Sequence, residues 1–232
     1  SAKYSILAAM EVSIEKGALY VAATPIGNLG DFSPRGRAVL AGVDRIAAED
    51  TRRSRALLAY FDVHTPLVAL HEHNEFRRSP RLVERLRAGG TLALVCDAGT
   101  PSISDPGGRL VALAHEQGVR VIPIPGPSAV ICALSACGLS TERFVFEGFL
   151  PARAAARRAR IESLREEVRT LIFYEAPHRL VVTLRDFAQI LGAGRPATLA
   201  RELTKVFETI RRGTLGSLAE WVAADADQRK GE

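Results

Sequence analysis

The sequence predicts an α/β protein of two domains, in which a parallel-rich N-terminal sheet is followed by a mixed C-terminal sheet. Short β-branched runs alternate with amphipathic helical runs along the 232 residues, and this alternation is typical of βαβ units. The run at 91–96 is almost wholly apolar, as in a central strand of a parallel sheet. Two late strands, at 197–201 and 206–211, are joined too closely for a crossover helix, which indicates antiparallel pairing.

The N-terminal domain is expected to contain five strands and five helices in alternation. Ser33 followed by Pro34 is the signature of a helix N-cap and first turn, and Ser79 followed by Pro80 repeats it. We therefore expect the third helix to begin at this second pair. The predicted order is strand 18–23, helix 34–41, strand 45–48, helix 52–60, strand 66–70, helix 79–89, strand 91–96, helix 108–117, strand 119–124 and a helix ending at 137.

A change in element order near 140–151 predicts the boundary between the domains. The C-terminal domain is expected to contain helix 153–167, strand 170–174, helix 179–191, the strand pair and helix 215–224. The expected regions are an N-terminal extension at 1–16, an N-terminal α/β domain at 17–140 and a C-terminal α/β domain at 141–232. The only methionine is Met10, so the residues before it are interpreted as a cloning remnant. The turn signal at 230–232 favours a truncated last sheet.

Composition narrows the class of protein. The chain is 47% hydrophobic and 25% charged, which is ordinary for a globular protein. No run approaches the ~20 apolar residues of a membrane span, so we expect a cytoplasmic protein without membrane association. Cys96, Cys132 and Cys137 form no pairing motif and are interpreted as buried thiols. The net charge of +5 is carried mostly by arginine, which fits phosphate binding and biased codon usage equally well.

Three loops rich in glycine and proline follow predicted strands. They lie at 24–31, 97–107 and 125–128. Glycine lets a ligand approach the backbone, proline holds that backbone in place, and ligands of parallel sheets bind at the carboxyl ends of strands. The three loops together favour a small-molecule site at one sheet edge, although each alone is compatible with an ordinary tight turn.

Several common sites are excluded by absent motifs. No G-x-G-x-x-G follows the first strand, no P-loop occurs, and there is no G-x-S-x-G elbow. His71 and His73 are two residues apart without a third ligand at useful spacing, so no metal site is expected. A nucleoside-type ligand held by backbone and small side chains is the remaining interpretation.

Six strings in order carry a family resemblance. They are ATPIGNLGD at 23–31, AEDTR at 48–52, DAGTPSISDPG at 97–107, PGPSA at 125–129, FYEAPHR at 173–179 and ARELTK at 200–205. With them the chain resembles the RsmI-type 16S rRNA methyltransferases of the tetrapyrrole-methylase-like class. The resemblance implies a two-domain α/β fold with S-adenosylmethionine in the inter-domain cleft, and methylation of a cytidine ribose 2′-hydroxyl in the decoding centre of 16S rRNA. It also implies a homodimer, and a chain that continues beyond 232.

The resemblance assigns residues to the donor and to RNA. The implied donor contacts are Pro25, Gly27, Gly99, Thr100, Pro101, Ile103, Ser128, Ala129, Tyr174, Glu175 and Ala176. Basic residues in or near the motifs are candidates for binding the phosphates of 16S rRNA or of the 30S subunit. They are Arg52, Arg53, Arg153, Arg157, Arg201 and Lys205. For the stripe of Arg153, Arg157 and Arg160, the alternative is a solvated face paired with Glu162, Glu166 and Glu167.

A general base would assist removal of the hydroxyl proton. Asp105 and Glu175 are the favoured catalytic carboxylates, ahead of Asp31, Asp50 and His178. Capping of loop amides is the competing role for any of these carboxylates. Two other functions stay open: a methylase acting on a tetrapyrrole or another small molecule, and a non-enzymatic sensor of a nucleoside ligand.

Overall fold

The computed structural model describes residues 12–231, which form two compact units. Unit 1 comprises residues 12–25 and Leu29–Pro127, and unit 2 comprises Ile26–Asn28 and the residues from Ser128 onward. The change of unit after Pro127 precedes the expected boundary near 140. The helix that follows Ser128 belongs to unit 2, where the Cys137 carbonyl at its end accepts a hydrogen bond of 2.8 Å from the Thr198 hydroxyl.

Unit 1 is built on one five-stranded parallel sheet. Its strands in chain order are β1 (Leu19–Ala22), β2 (Arg45–Ala48), β3 (Leu67–Ala69), β4 (Leu92–Val95) and β5 (Val121–Ile124). Their order across the sheet is β3-β2-β4-β1-β5, and every neighbouring pair is parallel. The apolar β4 lies at the centre and is buried throughout, which confirms the prediction for this run.

Helices cover both faces of this sheet. They are α1 (Pro34–Gly42), α2 (Thr51–Tyr60), α3 (Glu72–Arg87) and α4 (Gly108–Glu116). Val39, Leu40 and Leu58 from α1 and α2 pack into one core with Ile46 of β2. Residues of α3 and α4, such as Leu86 and Leu110, pack on the opposite face with Leu94. Unit 1 is therefore a doubly wound α/β sheet.

Helix starts test the two cap-plus-proline signals. For α1 the signal is confirmed, because the Ser33 hydroxyl accepts a hydrogen bond of 2.9 Å from the Gly36 amide and Pro34 occupies the first turn. For α3 it is wrong. That helix begins at Glu72, where the side chains of His71 and Asn74 form a capping box, and Pro80 lies inside it. A reciprocal cap and the apolar face of Leu82, Val83 and Leu86 outweigh one missing amide.

Part of the expected N-terminal extension belongs to the fold. Val12 and Ile14 pack against the core beneath α1, and the Glu15 amide donates a hydrogen bond of 2.8 Å to the Tyr20 hydroxyl. Glu15 also pairs with Arg120. Residues 12–16 are thus part of unit 1, whereas the interpretation of the residues before Met10 concerns positions outside the described residues.

Unit 2 contains two small sheets and four helices. Its elements are α5 (Ala129–Ala136), β6 (Phe144–Phe149), α6 (Ala154–Glu162), β7 (Thr170–Tyr174), α7 (Leu180–Leu191), β8 (Pro196–Arg201), β9 (Thr209–Thr214) and α8 (Leu215–Ala224). The pair β6-β7 is parallel and the pair β8-β9 is antiparallel. The predicted antiparallel pairing of β8 and β9 is confirmed, but these strands form a sheet of their own and not part of one mixed sheet.

Two strand assignments in unit 2 differ from the prediction. The strand β6 was missed, because Glu147 and Gly148 interrupt its apolar pattern at a register shift between Phe146 and Gly148. The strand expected at 206–211 begins only at Thr209. The residues before it form tight turns in which Glu202 and Thr204 have positive φ angles of 50° and 68°, so they cannot continue a ladder.

The predicted arginine stripe of α6 is divided by burial. The side chains of Arg157 and Asp186 are 6% and 5% exposed, and they form an ion pair of 2.8 Å. Arg157 therefore cannot bind RNA phosphates, and its predicted role is corrected to a structural one. Arg160 pairs with Glu147 at 2.7 Å. The helix also ends at Glu162 instead of continuing to 167.

We predict that replacing Arg157 with alanine lowers the free energy of unfolding by about 3 kcal/mol or more, because Asp186 would remain buried without its main partner. Urea unfolding followed by circular dichroism measures this loss. Arg158→Ala is the matched control, since Arg158 contacts the same carboxylate at 2.9 Å from a side chain that is 58% exposed. We expect a much smaller loss for the control; equal losses would contradict the assignment.

Candidate functional site

Strand order in unit 1 creates a crevice between β1 and β4. The connection after β1 passes β4 to reach β2, with helix α1 on one face of the sheet, and the connection after β4 passes β1 to reach β5, with helix α4 on the opposite face. The loops that leave these two neighbouring strands therefore diverge at their carboxyl ends. Such a topological switch point is where open α/β sheets bind ligands, so the chain topology locates a candidate site in unit 1.

The two diverging loops are joined at their base by a backbone bridge. The Thr24 amide donates to the Gly99 carbonyl at 2.9 Å, and the Gly99 amide donates to the Thr24 carbonyl at 3.1 Å. The buried Thr24 hydroxyl also donates to the Cys96 carbonyl at 3.3 Å. These bonds continue the sheet beyond its strands and fix the start of the loop at 97–107.

The loop at 97–107 holds its backbone in conformations that are rare outside glycine. Ser102 and Ser104 have φ angles of 69° and 62°. The Ser102 hydroxyl is buried and has no hydrogen-bond partner. At Gly107, where φ is 119°, a Cβ atom would lie 2.6 Å from the Leu94 side chain. Strain and an unsatisfied buried hydroxyl that persist together in one loop are typical of functional sites.

The loop after β5 is tied to the same edge. The Thr100 hydroxyl donates to the Pro127 carbonyl at 3.0 Å. A Cβ atom on Gly126 would lie 2.9 Å from the Cβ of Ala23, so only glycine allows these two loops to approach this closely. Of the predicted donor contacts, the structure thus brings together the members in unit 1: Pro25, Gly99, Thr100, Pro101 and Ile103.

Three carboxylates gather at the ends of β2 and β4. Burial, followed by the charges of Asp97 and Asp105, raises the pKa of Glu49. Burial also raises the pKa of Asp105, with a further contribution from Asp97 and an opposing hydrogen bond from the Cys96 thiol. We missed Glu49 as a site residue, although its place at the end of β2, inside the AEDTR string, could have indicated it.

Asp97 organises this acidic cluster. Its Oδ1 atom accepts a hydrogen bond of 3.0 Å from the Asp50 amide, and its Oδ2 atom pairs with Arg53 at 3.1 Å. Its own amide donates to Glu49. Asp50 caps α2 by accepting from the Arg52 amide at 2.8 Å. This helix-capping role competes with the role of general base for which Asp50 was a candidate.

Glu175 of unit 2 is held by several donors. Its carboxylate accepts from the Ala176 amide at 2.8 Å and from the Thr183 hydroxyl at 2.7 Å. It also forms an ion pair of 3.1 Å with Arg179, whose guanidinium donates to the Leu150 carbonyl at 2.8 Å. These contacts engage both oxygens of the carboxylate. The structure therefore favours the capping role for Glu175 over the predicted catalytic one.

The other predicted donor residues of unit 2 lie in three places. Tyr174 ends β7 and packs edge-on against Phe146 with ring centroids 5.0 Å apart. Ser128 is the N-cap residue of α5, and Ala129 is its first helical residue. Gly27 packs against the turn after β8, where a Cβ atom would lie 2.5 Å from the Lys205 side chain.

The predicted RNA-binding cations fall into different classes. Arg52 and Arg53 are exposed, with 86% and 72% of their side chains accessible, and they pair with Asp50 and Asp97. Arg153 is exposed at the start of α6. Lys205 pairs with Glu202 at 3.2 Å.

Arg201 is committed elsewhere. Its guanidinium donates to the carbonyls of Asp227 and Lys230 at 3.1 Å and 2.6 Å. Unlike Arg157 it is only partly buried, so its binding to RNA stays a prediction.

Residues 12–231 contain no group of three or more His, Cys, Asp or Glu side chains placed to hold a metal ion. No helix in the same range has both the length and the hydrophobicity that crossing a membrane requires.

Comparison with curated proteins gives close relatives along most of the chain. Ribosomal RNA small subunit methyltransferase I of Pseudomonas aeruginosa is 56% identical over 216 residues, which cover 93% of this chain and 77% of the relative. The protein of the same name from Escherichia coli O157:H7 is 51% identical over 217 residues, or 94% of this chain and 76% of the relative.

Solved structures resemble the whole fold at low sequence identity. Diphthine synthase has a TM-score of 0.68 at 19% identity, covering 88% of this chain and 84% of that one. Cobalt precorrin-4 methyltransferase has a TM-score of 0.64 at 16% identity, covering 92% of both chains. The profile of the Tetrapyrrole (Corrin/Porphyrin) Methylases matches residues 18–219. The chain therefore belongs to the tetrapyrrole methylase family and, within it, to the ribosomal RNA small subunit methyltransferase I proteins, as its motifs predicted.

Proposed function

We propose that this methyltransferase uses S-adenosylmethionine to methylate the ribose 2′-hydroxyl of a cytidine in the decoding centre of 16S rRNA. The observation that carries the proposal is the bridged switch point between β1 and β4, formed by two of the loops that carry the family resemblance. An RNA substrate is supported by the names of relatives with 56% and 51% identity. The particular cytidine and the 2′-oxygen rest on the motif resemblance.

The residues of the crevice fit such a donor. When bound, S-adenosylmethionine supplies an activated methyl group on a positively charged sulfonium. The carboxylates of Glu49, Asp97 and Asp105 create a negative potential at this edge, which favours a cation. The buried Ser102 hydroxyl without a partner offers a hydrogen bond to a polar ligand. Pro25, Gly99, Thr100, Pro101 and Ile103 are proposed to position the donor from unit 1.

Donor contacts in unit 2 are proposed from the resemblance. Gly27, Ser128, Ala129, Tyr174 and Ala176 are the proposed residues. Glu175 orders the segment that carries Tyr174 and Ala176, since it binds the Ala176 amide and Arg179. The homodimer implied by the resemblance is likewise proposed, and sedimentation velocity of the full chain measures it.

Asp105 is the proposed proton acceptor for the ribose hydroxyl. Burial raises its pKa, which makes its carboxylate more basic than an exposed one. In this role Asp105 holds the proton at one of its carboxylate oxygens, while the strained loop around it keeps the side chain in place.

One experiment separates the proposed function from its two alternatives. The protein is incubated with radiolabelled S-adenosylmethionine and, in parallel, with 30S subunits lacking this modification, with naked 16S rRNA and with a porphyrinoid. Label mapped to a decoding-centre ribose supports the proposal. Label on the porphyrinoid supports a small-molecule methylase, and donor binding without transfer to any of the three supports a sensor. Comparing subunits with naked rRNA also identifies the true substrate form.

We predict that Asp105→Asn lowers kcat by about a hundredfold or more and stabilises the protein at neutral pH. Because the folded-state pKa of Asp105 is raised, the native state resists ionisation of this group. That cost is absent below the unfolded pKa, grows as pH rises towards the folded pKa and is complete above it. Urea unfolding at pH 4 and pH 8 should therefore show a gain for the variant only at the higher pH.

The control for Asp105→Asn is Glu116→Gln, which neutralises an exposed carboxylate at the end of α4. It should change neither kcat nor the pH dependence of stability. A kcat for Asp105→Asn equal to that of the parent protein would remove Asp105 from catalysis.

We predict that the double variant Arg52→Ala and Arg53→Ala weakens binding of 16S rRNA and flattens its salt dependence by about one unit of slope for each lost phosphate contact. Filter binding across a series of salt concentrations measures both quantities. The matched control replaces both residues with lysine, which keeps the charge and should retain most of the slope. Identical slopes for the alanine variant and the parent protein would place RNA elsewhere.

A further inference from the structure

An aromatic ring on α3 is exposed although it is held in one orientation. Phe76 is 72% exposed, and the Arg109 guanidinium lies over its ring at 3.9 Å from the centroid. Leaving such a ring in water forgoes the burial that stabilises most aromatic side chains. Phe76 adds almost nothing to the cores of unit 1, so its position needs another explanation.

The backbone beneath this pair is fixed by the site loop. The Glu75 carboxylate accepts hydrogen bonds from the amides of Gly107 and Arg109 at 3.0 Å and 2.9 Å. Glu75 thereby joins the turn of α3 that carries Phe76 to the first turn of α4 that carries Arg109. Gly107 is the last residue of the strained loop at 97–107, so the ring and the guanidinium are anchored directly to the candidate donor site.

The neighbouring turn of α3 adds positive charge and a backbone acceptor. Arg77 and Arg81 are exposed on the same stretch of α3 as Phe76, with the exposed acids Glu72 and Glu84 before and after them. Pro80 has no amide hydrogen, so the Phe76 carbonyl cannot receive the usual intrahelical bond from position 80. The aromatic ring and the guanidinium plane form a surface that we call the stacking face, Phe76 and Arg109, and Arg77 and Arg81 add exposed cations on the nearby turns of α3.

We propose that the stacking face binds an unpaired base of the rRNA next to the methylated nucleotide. Single-stranded RNA is recognised by stacking of bases on aromatic rings and on arginine planes, with cations along the phosphates. The stacking face offers both kinds of plane and the matching charge, beside the loop that is proposed to hold the donor. The proposal rests on the proposed function, because it assumes an RNA acceptor. The arginines in and around the stacking face favour binding of a polyanion over binding of a second copy of this basic chain.

The test compares Phe76→Ala, Phe76→Leu and Phe76→Trp in the full chain. The RNA probe is a hairpin with the decoding-centre sequence and 2-aminopurine beside the target cytidine. We expect Phe76→Ala to raise KM for RNA about tenfold with kcat nearly unchanged, and to abolish the quenching of 2-aminopurine fluorescence on binding. Phe76→Trp should restore both. Phe76→Leu should not, because it keeps an apolar side chain but lacks a π face. Unfolding midpoints should be equal for all three.

Three outcomes would overturn the stacking face. Parent-like KM and quenching in Phe76→Ala would show that the ring does not touch RNA. Full rescue by leucine would show a simple apolar contact. A change of mass in Phe76→Ala, measured by sedimentation, with RNA binding retained would show that a second copy covers the ring. If the parent protein itself methylates no RNA, the proposed function fails and the stacking face fails with it; failure of the variants alone leaves the proposed function intact.

Discussion

The candidate site depends on the pair of backbone hydrogen bonds between Thr24 and Gly99. These bonds join two segments that have just left neighbouring parallel strands and that lead to opposite faces of the sheet. Without a link at this point, no backbone contact would hold the start of the loop at 97–107 against the unfavourable energy of its positive φ angles. With the link, strain at Ser102 and Ser104 is confined to a short span between the bridge and α4.

The same constraint explains the electrostatics of the site. Since β2 and β4 are adjacent, the residues that follow them are brought together, and these residues include Glu49 and Asp97. Burial raises the pKa of Glu49, and the charges of Asp97 and Asp105 raise it further. Such repulsion among the carboxylates lowers the stability of the folded protein when no ligand is bound. It becomes useful when a cationic group binds, because the cation relieves repulsion that the protein has already accumulated.

Much of the fold could be predicted because local signals and tertiary packing agree. The strand β2, the strand β7 and the helix α8 have the predicted bounds. The errors arise where a local signal competes with a non-local one. Pro80 resembles a helix start, but the His71–Asn74 cap and the apolar face of α3 decide the outcome. The strand β6 has an irregular pattern and is defined only by its pairing with β7. Glycine and proline correctly predicted where the loops lie. The acidic cluster could not be predicted in the same way, because only the strand order brings the ends of β2 and β4 together.

Arginine shows most clearly what a sequence leaves undecided. Arg53 and Arg157 are both in ion pairs, yet their pairs differ in what breaking them would cost. The Arg157–Asp186 pair is buried, so moving Arg157 to a phosphate would leave the Asp186 carboxylate charged and unpaired in the core. Arg53 is mostly exposed, and water and salt weaken its attraction to Asp97. A phosphate can therefore compete for Arg53. Because Arg53 also lowers the pKa of Glu49, a phosphate that drew it away would strengthen the repulsion among the carboxylates, and would so link the proposed binding of RNA at Arg53 to the proposed binding of a cationic donor.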